Sequence, residues 1–252
     1  MGKMIQCNFK RYEKKYLLTV QQYQRMLQGM CSYMRSDRYG NYTLCNIYYD
    51  TEDYRLIRNS LEKPVYKEKL RLRSYGVPQT GDKVFVELKK KFDGVVYKRR
   101  VSMTAFDAVK YINDGVLPQS ENQICHEIDW FMQSYCPVPK VFIAYDREAY
   151  EGIADPDLRI TFDTNLRWRD TDLDLRKGDY GDLLLPSGKV LMEIKIPGAA
   201  PVWLAHLLGA VGAFPQSFSK YGFCYQNHIL ESHFTGGKPL EKKREEEVNF
   251  CA

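Results

Sequence analysis

Lysine and arginine side chains alternate with apolar ones along a predicted β-strand near residue 70, and these cations are the side chains best suited to chemistry. Successive side chains of a strand face opposite sides, so one face of this strand carries only cations and the other is apolar. The cationic face consists of Lys67, Lys69, Arg71 and Arg73. Such a face can bind a polyanion, because bound phosphates neutralise charges that would otherwise repel one another.

The same alternation recurs in five further predicted strands. Their charged faces contain Arg11, Glu13 and Lys15; Glu87, Lys89 and Lys91; Lys98 and Arg100; Arg159, Thr161 and Asp163; and Glu193 and Lys195. A solvated face of an open sheet would explain any one strand. It explains six less well, because solvated faces usually mix signs and like charges across a ladder destabilise a sheet. A barrel with these charges inside, neutralised by a polyanion, accounts for all of them.

Carboxylates lie among the inward cations and need a role of their own. Glu13, Glu87 and Glu193 fall on the same faces as the lysines and arginines. Local ion pairs with neighbouring lysines would explain them. Metal binding is an equal alternative, because Mg²⁺ or Mn²⁺ in a phosphate site is held by one or two carboxylates together with phosphate oxygens and water.

Eight strands and several helices are predicted to build this site. The strands are expected over residues 9–18, 43–50, 66–74, 83–91, 95–102, 141–150, 158–168 and 189–196, and the helices over 19–34, 104–113, 121–135, 202–211 and 221–230. Asp93-Gly94 between two strand patterns predicts a hairpin. The prediction is an α+β fold: an eight-stranded antiparallel β-barrel with helices packed outside, over residues 1–235. A charged tail follows over 236–252.

Composition narrows the class of protein. The net charge of +5 is smaller than a nucleic-acid-binding domain would usually carry, so we expect no nucleic-acid partner. The first residues contain no apolar segment of signal-peptide length, and no stretch is long and apolar enough to span a bilayer. Seven scattered cysteines without a C-x-x-C pair fit reduced thiols. We therefore expect a cytoplasmic protein.

Six segments, taken in order, resemble the motifs of VTC domains, the polyphosphate polymerase branch of the triphosphate tunnel metalloenzymes. They are Arg-Tyr-Glu-Lys-Lys-Tyr (11–16), Lys-Leu-Arg-Leu-Arg (69–73), Val-Glu-Leu-Lys (86–89), Arg-Ile-Thr-Phe-Asp (159–163), Met-Glu-Ile-Lys (192–195) and Ser-Lys-Tyr (219–221). The resemblance spans about residues 8 to 230. Each motif is short, and it is their order and spacing together that make the resemblance specific.

The resemblance implies an antiparallel tunnel that transfers the γ-phosphate of ATP to a growing inorganic polyphosphate chain and releases ADP, with Mn²⁺ or Mg²⁺. It implies that Glu193 ligates the metal, and that phosphates are held by Lys15, Arg71, Arg73, Lys89, Arg159, Lys195 and, from the last helix, Lys220. Lys98 and Arg147 join this set by their position on the strands. Arg167 is a further basic candidate, with Arg169 as its alternative because the strand register beyond Asp163 is uncertain.

One difference in the first motif bears on whether the reaction is polymerisation or hydrolysis. The hydrolytic relatives, CYTH-type triphosphatases and adenylate cyclases, begin with Glu-x-Glu-x-Lys, whereas this chain has Arg11-x-Glu13-x-Lys15. Fewer acidic ligands favour the polymerase over a two-metal hydrolase. A triphosphatase on the same fold and a polyphosphate-binding module without turnover remain the alternatives. The chain resembles a stand-alone bacterial catalytic domain, whose product would need a separate membrane-protein partner for export.

Overall fold

Nine β-strands and six α-helices are seen in the computed structural model, which describes residues 12–93, 95–116 and 122–230. The strands are β1 (Tyr12–Thr19), β2 (Met34–Asp50), β3 (Tyr66–Tyr75), β4 (Lys83–Phe92), β5 (Val95–Thr104), β6 (Val138–Gly152), β7 (Arg159–Arg169), β8 (Asp182–Leu183) and β9 (Lys189–Ile196). The α-helices are α1 (Val20–Met30), α2 (Arg55–Leu61), α3 (Ala105–Asp114), α4 (Gln123–Tyr135), α5 (Val202–Val211) and α6 (Lys220–Cys224), the last continuing into a π-helical turn (Tyr225–Ile229). The predicted charged tail, 236–252, lies outside the described residues.

The eight long strands form one antiparallel sheet in the order β1-β9-β7-β6-β2-β3-β4-β5, and the short β8 pairs with β7. Although β4 lies far from β1 and β9 in this order, Lys89 of β4 interacts electrostatically with Glu13 of β1 and Glu193 of β9. The sheet therefore curls until its two ends approach each other. The predicted α+β tunnel is confirmed.

The tunnel is not closed in the way expected of an eight-stranded barrel. Within the described residues, no backbone ladder joins the two edge strands β1 and β5, so the sheet is curled and not a continuously bonded barrel. The free edge of β1 is instead used by the segment before α6, where the amide of Gln216 donates to the carbonyl of Lys15 at 2.8 Å. That contact satisfies one edge group and brings the start of α6 against β1.

Helices cover the outer face of the sheet and α6 fills part of its interior. One outer core packs α3 and α4 against β2 to β6, and a second packs α1 and α5 against β1, β7 and β9. A third cluster lies inside, where Tyr221 and Tyr225 pack against Tyr48 and Ile143. This interior apolar cluster occupies the part of the tunnel next to α6. No helix in the described ranges has the length and apolar character needed to cross a lipid bilayer.

Local sequence signals place most helix ends. Thr19 and Gln22 form the predicted capping box at the start of α1, and the Thr104 side chain accepts from the amide of Asp107 at the start of α3. The first helix ends at Met30, earlier than expected, because β2 begins at Met34 and pairs there with the end of β6. That early half of β2 was not predicted.

Helix α2 was also missed, because its N-terminal acceptor comes from outside the helix. Its N-cap residue, Tyr54, has a left-handed φ of 59° and makes no side-chain cap bond. The buried carboxylate of Asp50 accepts from the amides of Leu56 and Ile57 at 2.8 and 2.9 Å. It also accepts from the hydroxyl of Tyr221 at 2.9 Å. Asp50 thus connects the end of β2 to both α2 and α6.

We expect Asp50→Ala to lower the free energy of unfolding by about 3 kcal/mol, because it leaves buried donors without an acceptor. The measurement is chemical denaturation followed by circular dichroism. Asp53→Ala is the matched control, since this carboxylate lies three residues away and is exposed. Equal stability of the two variants would contradict the role given to Asp50.

Candidate functional site

The inner face of the tunnel is strongly cationic. Strand alternation, the cross-strand registers and the contacts described below place these side chains on it. The predicted phosphate-binding residues that the structure brings to this face are Lys15, Arg71, Arg73, Lys89, Lys98, Arg147, Arg159, Lys195 and, from α6, Lys220. The inner carboxylates are fewer: Glu13, Glu87, Asp163 and Glu193.

Glu87 lies at the centre of the first cluster, and its side chain is buried. Arg71 donates to Oε2 through Nε and Nη2 at 2.8 and 2.7 Å. Oε1 accepts from Lys98 at 2.8 Å and from Arg100 Nε at 2.6 Å, and Arg73 Nε lies 3.9 Å from Oε2. Burial alone would raise the pKa of Glu87, but the surrounding cations outweigh it and hold that pKa well below its usual range.

This arrangement does not fit the metal-ligand role considered for Glu87. Both carboxylate oxygens already accept from cations, and a metal ion would have to displace them. The carboxylate instead fixes the orientation of Arg71 and Arg100, whose remaining N–H groups stay available to a ligand. The sequence predicted the face on which Glu87 lies, but only the registers of β3, β4 and β5 show that four cations converge on it.

A second buried carboxylate, Asp163, holds two further cations. Arg147 binds it in a bidentate manner, with Nε to Oδ1 at 2.6 Å and Nη2 to Oδ2 at 2.8 Å. Lys220 of α6 donates to Oδ2 at 2.6 Å. Burial would raise the pKa of Asp163, but Lys220 and Arg147 lower it overall, so the carboxylate is ionised. The sequence indicated only the strand face of Asp163 and gave no sign of this triad.

Tyr145 joins the two clusters. Its hydroxyl accepts from Arg73 Nη2 at 3.2 Å, and its ring centroid lies 4.2 Å from Lys220 Nζ and 5.2 Å from Arg147 Cζ. Burial would raise the pKa of Tyr145, but Arg73, Arg147 and Lys220 outweigh it and lower the pKa to about 8. Tyr145 could not be singled out from the sequence, because a tyrosine in a strand usually indicates packing alone.

Two acidic and two basic residues of β1 and β9 alternate across the strand pair. The register sets Glu13 opposite Lys195 and Lys15 opposite Glu193. Lys15 Nζ lies 3.2 Å from Glu13 Oε1 and 4.0 Å from Glu193 Oε2, and Lys195 Nζ lies 2.7 Å from Glu193 Oε1. Burial would raise the pKa of Glu193, but Lys195 and Lys15 hold it well below its usual range.

This pair of carboxylates fits a divalent cation that arrives bound to phosphates. Glu13 and Glu193 lie close to the same ammonium group, on neighbouring strands. Among the described residues no group of three or more acidic, histidine or cysteine side chains could hold a metal ion. One or two carboxylates completed by phosphate oxygens and water are the usual ligands of Mg²⁺ in nucleotide sites. The protein therefore offers part of a coordination sphere and leaves the rest to the substrate.

Several inner cations form no ion pair with a carboxylate of the described residues. Lys69 donates to the hydroxyl of Ser219 at 3.0 Å, while Lys89 and Arg159 form no ion pair or side-chain hydrogen bond with other described residues. Burial and the charges of Lys67 and Lys89 lower the pKa of Lys69 to about 7. Burial also lowers the pKa of Lys89. Such cations are costly without a counter-anion, so this part of the tunnel is suited to bind one.

Arg167 does not lie with the other predicted phosphate-binding residues. The register of β7 against β6 shifts between Ala144 and Asp146, where Asn165 has a left-handed φ of 48°. The bulge reverses the alternation of side chains, and Arg167 faces outward. Its guanidinium is paired with Asp179 at 2.6 Å and with Asp146 at 3.4 Å.

Arg169, the alternative to Arg167, also lies outside. Its Cζ is 3.6 Å from the ring centroid of Phe142, which belongs to the outer core under α3 and α4. The prediction that one of these two arginines lines the tunnel is therefore wrong. Its cause is the bulge at Asn165, because a one-residue slip moves every later side chain to the other face.

The family model of the VTC domain matches residues 10–228 of this sequence. The chain belongs to the VTC-domain family. The match covers every inner cation and carboxylate described above, from Glu13 to Lys220. Comparison with curated protein sequences finds no match.

Solved structures show the fold that this VTC domain shares with other tunnel proteins. A Bacillus halodurans protein, provisionally assigned as an adenylate cyclase, superposes with a TM-score of 0.51 at 12% identity, covering 87% of this chain and 95% of its own. A Hippeastrum protein, provisionally assigned as an adenylyl cyclase and described with a dominant triphosphatase activity, gives 0.48 at 15% identity, covering 90% and 96%. The first likeness shows a common fold, and function has to be argued from the site. By family and fold, this chain is a triphosphate-tunnel protein.

We expect Lys69→Met to stabilise the VTC domain at pH 6 and to have less effect at pH 9. The folded pKa of Lys69, about 7, lies below its ordinary value of 10.5, so between these values the unfolded chain binds more protons than the folded one. Stability should therefore rise with pH across that window, and the mutation should remove this rise. Thermal unfolding at both pH values, in buffer without phosphate, measures the difference.

The exposed Lys83, at the start of β4, gives the matched control, Lys83→Met. That variant should show no such dependence on pH. A gain for Lys69→Met that is the same at both pH values would contradict a charge penalty at Lys69.

Proposed function

We propose that this VTC domain is a polyphosphate polymerase, which transfers the γ-phosphoryl group of ATP to the end of an inorganic polyphosphate chain and releases ADP. The observation that carries the proposal is the surplus of cations in the tunnel, above all Lys69 and Lys89, which form no ion pair with a carboxylate of the described residues. A linear polyanion neutralises such a row of charges along its whole length. The family and the tunnel fold support the same substrate class.

Two kinds of cation suggest two subsites. Glu87 holds Arg71 and Asp163 holds Arg147, while Arg73 is held by Asn46 and Tyr145. Part of each guanidinium is left for a ligand. Because a guanidinium binds phosphate in a planar, bidentate manner, these residues suit the triphosphate of the donor. Lys15, Lys69 and Lys89 form a group of point charges at the meeting of β1, β3 and β4. They suit the phosphates of an acceptor chain, whose position changes at every addition.

The reaction needs little covalent chemistry from the protein. An oxygen of the terminal phosphate attacks the γ-phosphorus, the bond from that phosphorus to the β–γ bridging oxygen breaks, and ADP leaves with the bond's electron pair. The nucleophile is already an anion, so no general base is required. The arginines neutralise charge that accumulates on the bridging oxygen, and the lysines keep the acceptor terminus in line.

Glu193 and Glu13 would hold a divalent cation, Mn²⁺ or Mg²⁺, that arrives with the phosphates of the donor. When bound, it would neutralise charge on phosphate oxygens as the phosphoryl group is transferred. Export of the product by a separate membrane-protein partner is also part of the proposal, and the reaction in solution does not depend on it.

Incubation of the purified chain with ATP and Mn²⁺ tests the reaction itself. We expect a ladder of polyphosphate on a gel and one ADP for each phosphate incorporated. Free phosphate in place of polymer would identify a triphosphatase, and binding of polyphosphate without turnover would identify a binding module. Either result would overturn the polymerase proposal.

We expect Arg71→Ala to lower the rate of polymer formation by roughly 100-fold, because it removes a preorganised charge from the donor phosphates. Arg71→Lys should restore only part of the rate, since a lysine cannot reproduce the bidentate contact. Arg176→Ala is the matched control, because Arg176 lies outside the tunnel and pairs with Asp174. Initial rates at saturating Mn²⁺ measure the effect. Equal rates for the Arg71 and Arg176 variants would remove Arg71 from the donor site.

A further inference from the structure

Four aromatic side chains form a continuous row across β2, β3 and β4. We call Tyr39, Tyr42, Tyr75 and Phe85 the aromatic rim. The ring centroids of Tyr39 and Tyr42 are 6.2 Å apart, those of Tyr42 and Tyr75 5.8 Å, and those of Tyr75 and Phe85 5.7 Å. Each separation is within the range of direct aromatic contact.

The aromatic rim lies on the inner side of the sheet, at the end away from α6. Tyr75 follows Arg73 on the inward face of β3, and Phe85 lies opposite Arg73 in the register of β3 with β4. On the same strand Lys69 contacts Ser219 at the start of α6. Tyr75 lies six positions after Lys69 along β3, a distance of roughly 20 Å. The rim therefore lies at the end of β3 opposite to the start of α6.

Cations of the candidate donor site lie directly beside the rim. Arg100 Cζ is 4.5 Å from the ring centroid of Phe85, and its guanidinium also interacts with the hydroxyl of Tyr75. At the other side of the row, Tyr42 lies within electrostatic reach of Arg147 and Asp163. A ligand whose phosphates contact Arg71, Arg73 and Arg147 would thus have these rings at its other end.

The exposed fractions of its side chains distinguish the aromatic rim from a packing core. Tyr75 is 51% exposed and Tyr39 is 62% exposed, whereas Tyr42, which packs against the interior apolar cluster, and Phe85 are half-buried. The half-buried rings contact the exposed ones. Arg38 lies 4.7 Å from the ring centroid of Tyr39, and Tyr75 keeps much of its surface free. Aromatic rings fixed in this way are suited to stack on another flat ring system, at low cost in conformational entropy.

We propose that the aromatic rim binds the base of the nucleoside triphosphate and so makes a nucleotide, rather than inorganic triphosphate, the preferred donor. This inference rests on the proposed function, because it takes the arginine clusters as the place of the donor phosphates. Stacking tolerates any base, but the larger ring system of a purine buries more surface, so ATP and GTP should bind more tightly than CTP and UTP.

Calorimetric titration with the β,γ-imido analogue of ATP and with tripolyphosphate, both with Mg²⁺, tests the inference. In the wild-type chain, the analogue should bind more tightly than tripolyphosphate. Tyr75→Ala should raise the Kd for the analogue about 10-fold and leave the Kd for tripolyphosphate unchanged. Tyr75→Phe should bind both ligands like the wild type, because the ring is retained.

Tyr97→Ala provides the matched control. Tyr97 is also about half exposed, but it lies on the outward face of β5, opposite Lys90 in the register, away from the rim. This variant should not change either Kd. An equal loss of affinity for both ligands in Tyr75→Ala, or no loss for either, would overturn the inference.

These outcomes are independent of the polymerase assay. If the chain makes polyphosphate from ATP but binds the analogue and tripolyphosphate equally, the proposed function stands and the aromatic rim does not bind the base. If the chain binds the analogue more tightly because of Tyr75 but forms no polymer, the aromatic rim is a nucleotide-binding site and the polymerase proposal is wrong.

Discussion

The structure depends on an imbalance of charge inside an enclosed space. Glu87 and Asp163 neutralise the cations nearest to them, and both carboxylates are fully engaged in doing so. Lys69, Lys89 and Arg159 form no ion pair with a carboxylate of the described residues. These like charges repel each other, and the partly buried Lys69 also loses hydration, so the ligand-free tunnel is less stable than a neutral one would be. A bound polyanion would relieve both costs, and this links the stability of the fold to its ligand.

Antiparallel pairing is what makes such a site possible. Alternation along each strand sends every second side chain inward, and the registers then set Arg71 beside Glu87 and Arg147 beside Asp163. Because each arginine is fixed before a ligand binds, little conformational freedom is lost on binding. The last helix adds Lys220 from a direction that no strand can supply. The site is therefore held by the sheet on one side and by a helix end on the other.

The sequence was sufficient to predict the eight long strands, most helices and the inward face of nearly all the candidate site residues, because period-two alternation and helix caps are local signals. Three features required the folded chain. The bulge at Asn165 turns Arg167 outward, and a bulge depends on how β7 meets β6. Helix α2 is capped by Asp50 from the preceding strand, and Tyr145 meets Arg73 and Lys220 only through contacts distant in sequence.

The inner carboxylates also bear on the kind of phosphoryl acceptor. Hydrolysis requires activation of water, and a general base works best when its pKa lies near the working pH. The pKa values of Glu87, Asp163 and Glu193 are all held low by neighbouring cations, which makes these carboxylates weak bases. A phosphate terminus needs no such activation, because it is an anion already and the same cations attract it. Within the proposed function, the low basicity of these carboxylates supports phosphate rather than water as the acceptor.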